Sequence, residues 1–284
     1  MRLPHLTQAR APLVQEVEVL DEFGERQVLH IPAERDLTVY VDRRELVTLM
    51  TLGAHPEWLV LGYLRNQRLV RAADEVESIT VDWDVGAAAV RTRDGVDHIE
   101  ERTSRRVVTT GCGQGSVFGG LMDEVQSLAL PHARLTQAQL YELVNAIRMQ
   151  ESTYKSAGSV HGCALFRGSD MLVFVEDVGR HNAIDTIAGW MWMHGVSTAQ
   201  ADPDQPFVFY TTGRLTSEMV IKSAQMGVAL VVSRSGMTQM GHQIARQLGL
   251  CAIGRATNRH FFCYTAPQRL VLQPQLAGQR IMRG

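Results

Sequence analysis

Long uninterrupted apolar stretches are missing from this chain of 284 residues, although 45% of it is hydrophobic. A membrane-spanning helix needs about 20 consecutive apolar residues, so no membrane partner is expected. The N-terminus, Met1-Arg2-Leu3-Pro4-His5, has neither the apolar core nor the small-residue cleavage site of a signal peptide. These two absences predict a soluble, cytoplasmic protein. An excess of one charge is missing too: 28 basic residues stand against 30 acidic ones, a formal net charge of -2. That balance gives no overall footprint for nucleic acid or an anionic membrane, so any anion site must be local. Lysine is nearly absent, with only Lys155 and Lys222, and the positive charge is almost all arginine. Arginine suits bidentate phosphate recognition, and a coding bias of the source genome would produce the same composition. Cysteine is scarce: Cys112, Cys163, Cys251 and Cys263 form no Cys-x-x-Cys pair and are too few for a disulfide framework. Val160-His161-Gly162-Cys163 resembles half of a zinc site, but no second ligand cluster follows at usable spacing, so no structural metal is expected.

What is present divides the chain in two. Up to residue 110, short apolar runs alternate with turns at Val14–Leu20, Asp36–Val41, Glu45–Leu52, Ile79–Trp83, Ala87–Thr92 and Arg106–Thr110. This predicts a smaller, β-rich α+β domain over 1–110. One helix interrupts it from Pro56, a residue suited to a first helical turn, with Leu59, Val60, Tyr63 and Leu64 on one face. Residues 111–134 form a glycine-rich loop, with Gly111, Gly113, Gly115, Gly119 and Gly120 disfavouring regular structure. Over 135–284 the pattern is α/β. Thr136 caps a helix that carries Leu140, Leu143, Val144 and Ile147. Strands at Met171–Val178, Phe207–Thr212, Val228–Val232 and Leu250–Gly254 then alternate with helices from Asn182, Ser217 and Thr238. Continuous apolar strands separated by helices imply a largely parallel sheet covered on both faces.

Three strand-to-helix turns share one chemistry: Glu176 to Asn182, Thr212 to Ser217, and Ser233 to Thr238 each combine glycine, an arginine and small polar residues. At the carboxyl edge of a parallel sheet, helix N-termini attract anions, and Arg180, Arg214 and Arg234 would clamp phosphates there. The same turns also read as ordinary capped turns, with Asn182, Ser217 and Thr238 as N-caps. Glu176 and Asp177 suit recognition of a guanine edge or a ribose, or pairing with an arginine. His161 sits among small residues whose glycines let a ligand approach the backbone, and it equally reads as a hydrogen-bonded core histidine. Cys112, in Thr-Thr-Gly-Cys-Gly-Gln-Gly-Ser, differs from the other thiols, whose neighbours are apolar or aromatic. A thiolate on such a loop can attack a persulfide and carry its terminal sulfur.

Taken together, these segments resemble the FdhD family, the sulfurtransferase accessory proteins of formate dehydrogenases. The resemblance runs through Leu49 to Pro56, the Cys112 loop, Ser159-Val160-His161, Thr212-Gly213-Arg214, Ser233-Arg234-Ser235 and Tyr264 to Arg269. Its most specific element is Glu-Asp-Val-Gly-Arg-His-Asn-Ala at 176–183. The resemblance implies a cytidine-deaminase-like α/β/α layered C-terminal domain without the deaminase zinc. It also implies sulfuration of a molybdenum or tungsten bis-guanine-dinucleotide cofactor, bound as substrate. A cysteine desulfurase would supply the sulfur as a persulfide, formate dehydrogenase would be the client, and the protein would be a homodimer. On this reading Cys112 is catalytic, and His161, Asp177, Arg180, His181, Asn182, Gly213, Arg214, Ser233, Arg234 and Ser235 hold the cofactor. Two departures stand out. Gly115 occupies the position of the second cysteine in the Cys-Gly-x-Cys of many members, and Gly236-Met237 stands where Ala-Pro is common.

Two further readings belong to other classes. A cofactor-binding chaperone would deliver the molybdenum cofactor without covalent sulfur chemistry. A zinc-dependent nucleoside deaminase needs His-x-Glu and Pro-Cys-x-x-Cys, whereas His161-Gly162-Cys163 lacks the glutamate and the chain has no Cys-x-x-Cys.

Overall fold

The structure, a computed structural model, describes residues 2–96, 107–108, 115–116, 128–199 and 201–277, with the backbone alone at 107–108 and 115–116. The chain divides into two compact units. The first comprises Met1–Gly120, Glu151–Gly162 and Val175–Val196; the second comprises Leu121–Gln150, Cys163–Phe174 and Ser197–Gly284. Composition suggested boundaries at 110 and 134, but Glu151–Gly162 and Val175–Val196 return to the first unit.

The first unit is built on a five-stranded sheet in the order β1-β6-β7-β4-β5: β1 His5–Leu6, β4 Arg35–Val41, β5 Arg44–Thr51, β6 Val76–Asp82 and β7 Ala87–Thr92. Alternation decides which face each strand buries. Leu37, Val39 and Val41 of β4 turn inward with Ile79 and Val81 of β6 and with Ala88 and Val90 of β7. A separate hairpin, β2 Val14–Leu20 with β3 Arg26–Pro32, carries the Glu18–Arg26 ion pair and a 3.4 Å contact between His30 Nε2 and Glu16 Oε1. Helix α1, Pro56–Asn66, packs Leu59, Val60, Tyr63 and Leu64 into the sheet's core. Further along, Val107–Val108 (β8) pairs antiparallel with Gly115–Ser116 (β9).

The second unit holds a six-stranded sheet in the order β12-β11-β13-β14-β15-β16. Its strands are β11 His161–Arg167, β12 Asp170–Asp177, β13 Phe207–Thr211, β14 Leu230–Ser233, β15 Cys251–Thr257 and β16 His260–Cys263; the first residues of β11 and the last of β12 belong to the first unit. Strands β13 and β14 are buried at every residue, as their apolar runs predict. The sheet is mixed rather than largely parallel: β13, β14 and β15 run parallel, while β11 pairs antiparallel with β13 and β16 with β15. The two residues Asn258 and Arg259, with Asn258 at φ 51, turn β15 back into β16. So short a connection can only join antiparallel strands. A short parallel pair, β10 Leu135–Thr136 with β17 Leu270–Val271, lies beside it.

Helix α2, Gln137–Met149, begins in a reciprocal cap: Thr136 Oγ1 accepts from Gln139 N at 3.2 Å, and Gln139 Oε1 accepts from Thr136 N at 2.9 Å. Leu140, Leu143 and Val144 then cover Phe166, Val208, Tyr210 and Val232. The short α3, Thr153–Ala157, belongs to the first unit. Two of the expected N-caps move outward by one to three residues. Gly179 precedes α4 (Arg180–Met193) and Thr216 precedes α5 (Ser217–Gln225), whereas Thr238 does cap α6 (Gln239–Leu248). Asn182 and Ser217 therefore lie within first turns, and Asn182 bonds instead to Met50 O and Asp177. No described helix is long and apolar enough to cross a membrane.

Helix α4 explains why Val175–Val196 joins the first unit. It is buried from Arg180 to Gly189 and packs along α1. A helix buried on all sides, polar Arg180, His181, Asn182, Asp185 and Thr186 included, carries no stripe to announce its partner. The two backbones meet at glycines: a Cβ on Gly62 would lie 1.7 Å from Asp185 O, and one on Gly189 would lie 2.0 Å from Trp58 O. Around the crossing, Asn66 Nδ2 donates to Asp185 Oδ1 at 2.7 Å and Arg65 Nη1 donates to Ala188 O at 2.8 Å. Burial pushes the Arg65 guanidinium down to about 10.

Gly62→Ala should force the two helices apart. It is expected to cost about 3 kcal/mol or more of stability, the upper end of overpacking effects. Urea denaturation would show a lowered midpoint, and an unchanged midpoint would refute the close crossing.

Candidate functional site

In the second unit, the turns after β13 and β14 come together. Thr211 and Ser233 are paired across the parallel strands, and each folds its own turn with its hydroxyl. Thr211 Oγ1 accepts from Gly213 N at 3.0 Å; Ser233 Oγ donates to Gly213 O at 2.7 Å and accepts from Ser235 N at 2.9 Å. Arg234 N also donates to Thr211 O at 3.0 Å. These are side-chain turns that replace a backbone ladder, so buried Ser233 shapes the edge. The Gly236-Met237 departure is accommodated by backbone pairing: Leu215 N donates to Gly236 O at 3.0 Å, Thr238 N to Leu215 O at 3.1 Å, and Leu215 bridges Met237.

Three exposed arginines stand on this edge: Arg214, Arg234 and, following Gly254 on β15, Arg255. Arg255 N donates to Ser235 O at 2.8 Å, which fixes it against the second turn. None of the three is in an ion pair among the described residues. Arg234 faces Tyr210, whose hydroxyl is pushed up to about 12 by burial against the opposing pull of that guanidinium. Tyr264 also closes on the edge, since a Cβ on Gly254 would lie 2.7 Å from its ring. Helix α5 starts here without a side-chain cap, and the hydroxyl of Thr216 finds no partner among the described residues. An uncapped helix start beside unpaired arginines is a setting for an anion. Arg255 and Tyr264 were not among the expected site residues because they lie on a strand and beyond a hairpin, Tyr264 entering only as the start of a matching segment.

The remaining expected ligand residues belong to the first unit. Asp177 is 3% exposed. Its carboxylate accepts from Thr51 Oγ1 at 2.5 Å, Leu52 N at 3.1 Å, Gly179 N at 3.1 Å and Asn182 Nδ2 at 2.9 Å. Asn182 Nδ2 donates as well to Met50 O at 2.6 Å. Glu176 accepts from Thr153 N at 2.5 Å and Tyr154 N at 3.1 Å, holding the start of α3. Neither acid pairs with an arginine among the described residues. Arg180 and His181 are buried beside Asn182 in the first turn of α4. His161 is half-buried at the start of β11. The chain reaches it through Gly158 at φ 66 and Ser159 at φ 52, left-handed conformations that a serine adopts only at some cost. Arg180 is thus in one unit, and Arg214 and Arg234 are in the other.

Cys112 lies outside the described residues, in the connection from β8 to β9. Cys163 is buried and donates to Thr211 Oγ1 at 3.3 Å; Cys251 is buried, and Cys263 is partly exposed. Among the described residues no three His, Cys, Asp or Glu side chains converge on a metal-sized site. A cavity of about 800 Å³ in the first unit is lined by His5, Arg10, His55, Glu57, Trp58 and His194, among others. None of the residues expected to hold the cofactor lines it.

Residues 32–271 match the family model described as the FdhD/NarQ family. A protein of Bacillus subtilis named sulfur carrier protein FdhD is 31% identical over 257 residues, covering 88% of this chain and 92% of that protein. The protein of the same name from Bacillus licheniformis is 31% identical over 238 residues, covering 84% and 88%. A crystal structure assigned as that of a formate dehydrogenase accessory protein from Desulfotalea psychrophila matches with a TM-score of 0.73 at 23% identity, covering 92% of this chain and 100% of that one. That likeness establishes a shared mixed α/β fold.

Asp177→Asn places an NH2 group against donors. It should destabilise the first unit by about 1–3 kcal/mol at neutral pH, the cost of leaving buried donors unsatisfied. Burial raises the Asp177 carboxyl above its ordinary 3.8 against the pull of its four donors. The folded state therefore binds this proton more tightly than the unfolded chain, and the group's stabilisation is present at low pH and lost as pH climbs from 3.8 through the folded value. The stability difference between parent and Asp177→Asn, followed by chemical denaturation across that window, should grow toward acid. A difference that shrinks toward acid would contradict the assignment.

Proposed function

The chain belongs to the FdhD/NarQ family, and from that premise we propose that it is a sulfur-carrying accessory protein for formate dehydrogenase. Cys112 is the carrier, and the molybdenum or tungsten bis-guanine-dinucleotide cofactor is its substrate. The observation that carries the reading is the match across residues 32–271 together with relatives named sulfur carrier protein. In the first step, the Cys112 thiolate attacks the terminal sulfur of a cysteine desulfurase persulfide. A new S–S bond forms on Cys112, the donor's S–S bond breaks, and the electron pair leaves on the desulfurase thiolate. The sulfur then passes to the cofactor. With Gly115 in place of a second loop cysteine, Cys112 acts without a relay partner in its loop.

The cofactor's phosphates suit the edge of the second unit. Arg214, Arg234 and Arg255 supply positive charge, and α5 starts there with no side-chain cap, its dipole end toward the edge. Gly213, Ser233 and Ser235 hold these groups in place through their turn bonds. In the first unit, Asp177 and Asn182 are positioning groups, because their polar atoms already hold the chain together. His161, Arg180 and His181 of the first unit are proposed as further cofactor-binding residues, and a deaminase-like α/β/α layering of the six-stranded sheet, a cytoplasmic location and a homodimeric assembly are proposed with them. Gly115 favours a second reading, a chaperone that binds and delivers the cofactor with no sulfur on Cys112.

Incubation with a cysteine desulfurase and L-cysteine should make the peptide bearing Cys112 heavier by one sulfur atom, and Cys112→Ala should abolish activation of formate dehydrogenase. A Cys112→Ala protein that activates fully would sink the carrier reading and leave the chaperone. Guanosine diphosphate should bind both proteins alike. Arg214→Ala and Arg234→Ala should each weaken that binding by about 10- to 100-fold, as expected for loss of a charge-assisted hydrogen bond. Calorimetry that detects no nucleotide binding by the parent would remove the anion site.

A further inference from the structure

A second thiol centre lies at the other end of the six-stranded sheet. Cys251 opens β15 in register with Leu230 of β14, which in turn is in register with Val208 of β13. Thr211 and Ser233, where the turn edge begins, lie at the opposite ends of those strands. Across the antiparallel β15–β16 pair, the sulfurs of Cys251 and Cys263 are 3.9 Å apart, within reach of an S–H···S hydrogen bond. Cys251 is fully buried; Cys263 is partly exposed, on a strand at the sheet's edge. The surroundings are braced. Thr265 Oγ1 donates to Leu250 O at 2.7 Å and accepts from Ala252 N at 3.1 Å. Arg269, held by Gly249 O at 2.8 Å and Pro131 O at 2.7 Å, brings a cation close enough to Cys251 to favour thiolate.

We propose that Cys263, with Cys251 as its buried partner, is a second site that takes up sulfane sulfur from small-molecule persulfides, independently of Cys112. Geometry divides the two roles. Cys263 is the sulfur that a donor can reach, its thiol within 3.4 Å of Thr265 O, and Cys251 is assigned as the hydrogen-bond donor behind it. The shared hydrogen bond holds the Cys263 thiol below its ordinary range, while that bond and burial push Cys251 up. The Cys263 thiolate attacks the terminal sulfur of R–S–S–H. The Cys263 S–S bond forms, the donor's S–S bond breaks, and the electron pair leaves as R–S⁻, which takes its proton from water. Cys263–S–S–H is the product, and no external oxidant is consumed. Closure to a Cys251–Cys263 disulfide with loss of sulfide is disfavoured on two counts. The sulfurs stand well beyond the bonding distance of about 2.05 Å, and the thiol that would attack is the one kept protonated.

The test uses the full chain carrying Cys112→Ser, treated with glutathione persulfide, alkylated and digested for peptide mass analysis. The peptide bearing Cys263 should gain one sulfur atom, Cys163 should gain none, and Cys263→Ser and Cys263→Ala should both lose the gain. Cys251→Ala should slow loading by about tenfold as the thiolate loses its hydrogen-bond donor, with thermal melting confirming that each variant is folded. No gain at Cys263, equal gain at Cys163, or a predominant Cys251–Cys263 disulfide would each overturn the proposal. The unsubstituted chain, digested in parallel, reports Cys112 separately, so a failure at either thiol is read without reference to the other.

Discussion

The Asp177 carboxylate is the constraint on which the first unit depends. A buried carboxylate survives only when its oxygens are satisfied, and here the donors come from segments far apart in the chain. Thr51 and Leu52 end β5, while Gly179 and Asn182 open α4; the bond from Thr51 spans 126 residues. The same four contacts fix where α4 starts, and Asn182 fastens that start to Met50 O. From there the Gly62–Gly189 crossing sets how closely α4 approaches α1. A segment that follows the second unit's first strands is thereby returned to the first.

The second unit solves its backbone problem differently. Where β13 and β14 stop, their carbonyls and amides would be left without a ladder. Thr211 and Ser233 take over with hydroxyls that bond to Gly213 and Ser235. Small residues are needed at these turns because the chain folds back on itself within hydrogen-bonding distance. One consequence is an edge whose own backbone needs are largely met from behind, leaving Arg214, Arg234, Arg255 and the start of α5 turned to other uses. Glu176 and Asp177 of the first unit are spent on inward hydrogen bonds, whereas Arg214, Arg234 and Arg255 of the second form no ion pair among the described residues.

How much of this could be read in advance depended on whether a signal was local. Pro56 at the start of α1, the Thr136 cap and the Thr238 cap were legible because each acts within one turn of helix. The buried strands Phe207–Thr211 and Leu230–Ser233 were legible as continuous apolar runs. Strand β11 was not, because His161 and Gly162 interrupt its apolar pattern, and β3 was not, because most of its residues face solvent. The partners of Asp177 lie beyond any local window, so the acid read equally well as a ligand or as half of an ion pair. For Asn182 and Ser217 the residue type suggested caps, but Gly179 and Thr216 hold those positions. Arg255 and Tyr264 reach the candidate edge only through strand pairing, which composition does not reveal.

Exposure and neighbours, more than residue type, sort the thiols of this chain. Cys163 donates into Thr211 and so supports the turn that carries Arg214. Cys251 is sealed in the core beside Leu230, where an ionised sulfur would be costly. Cys263 shares that neighbourhood but sits on the edge strand, its sulfur 3.9 Å from that of Cys251 and 3.4 Å from Thr265 O. The same distinction bears on the loop cysteine. Loss of a second thiol at Gly115 removes a neighbour that could capture Cys112 in a disulfide, so a persulfide placed there would have only its acceptor or solvent to react with. On the proposed carrier reading, a single thiol would lose a relay and gain persistence.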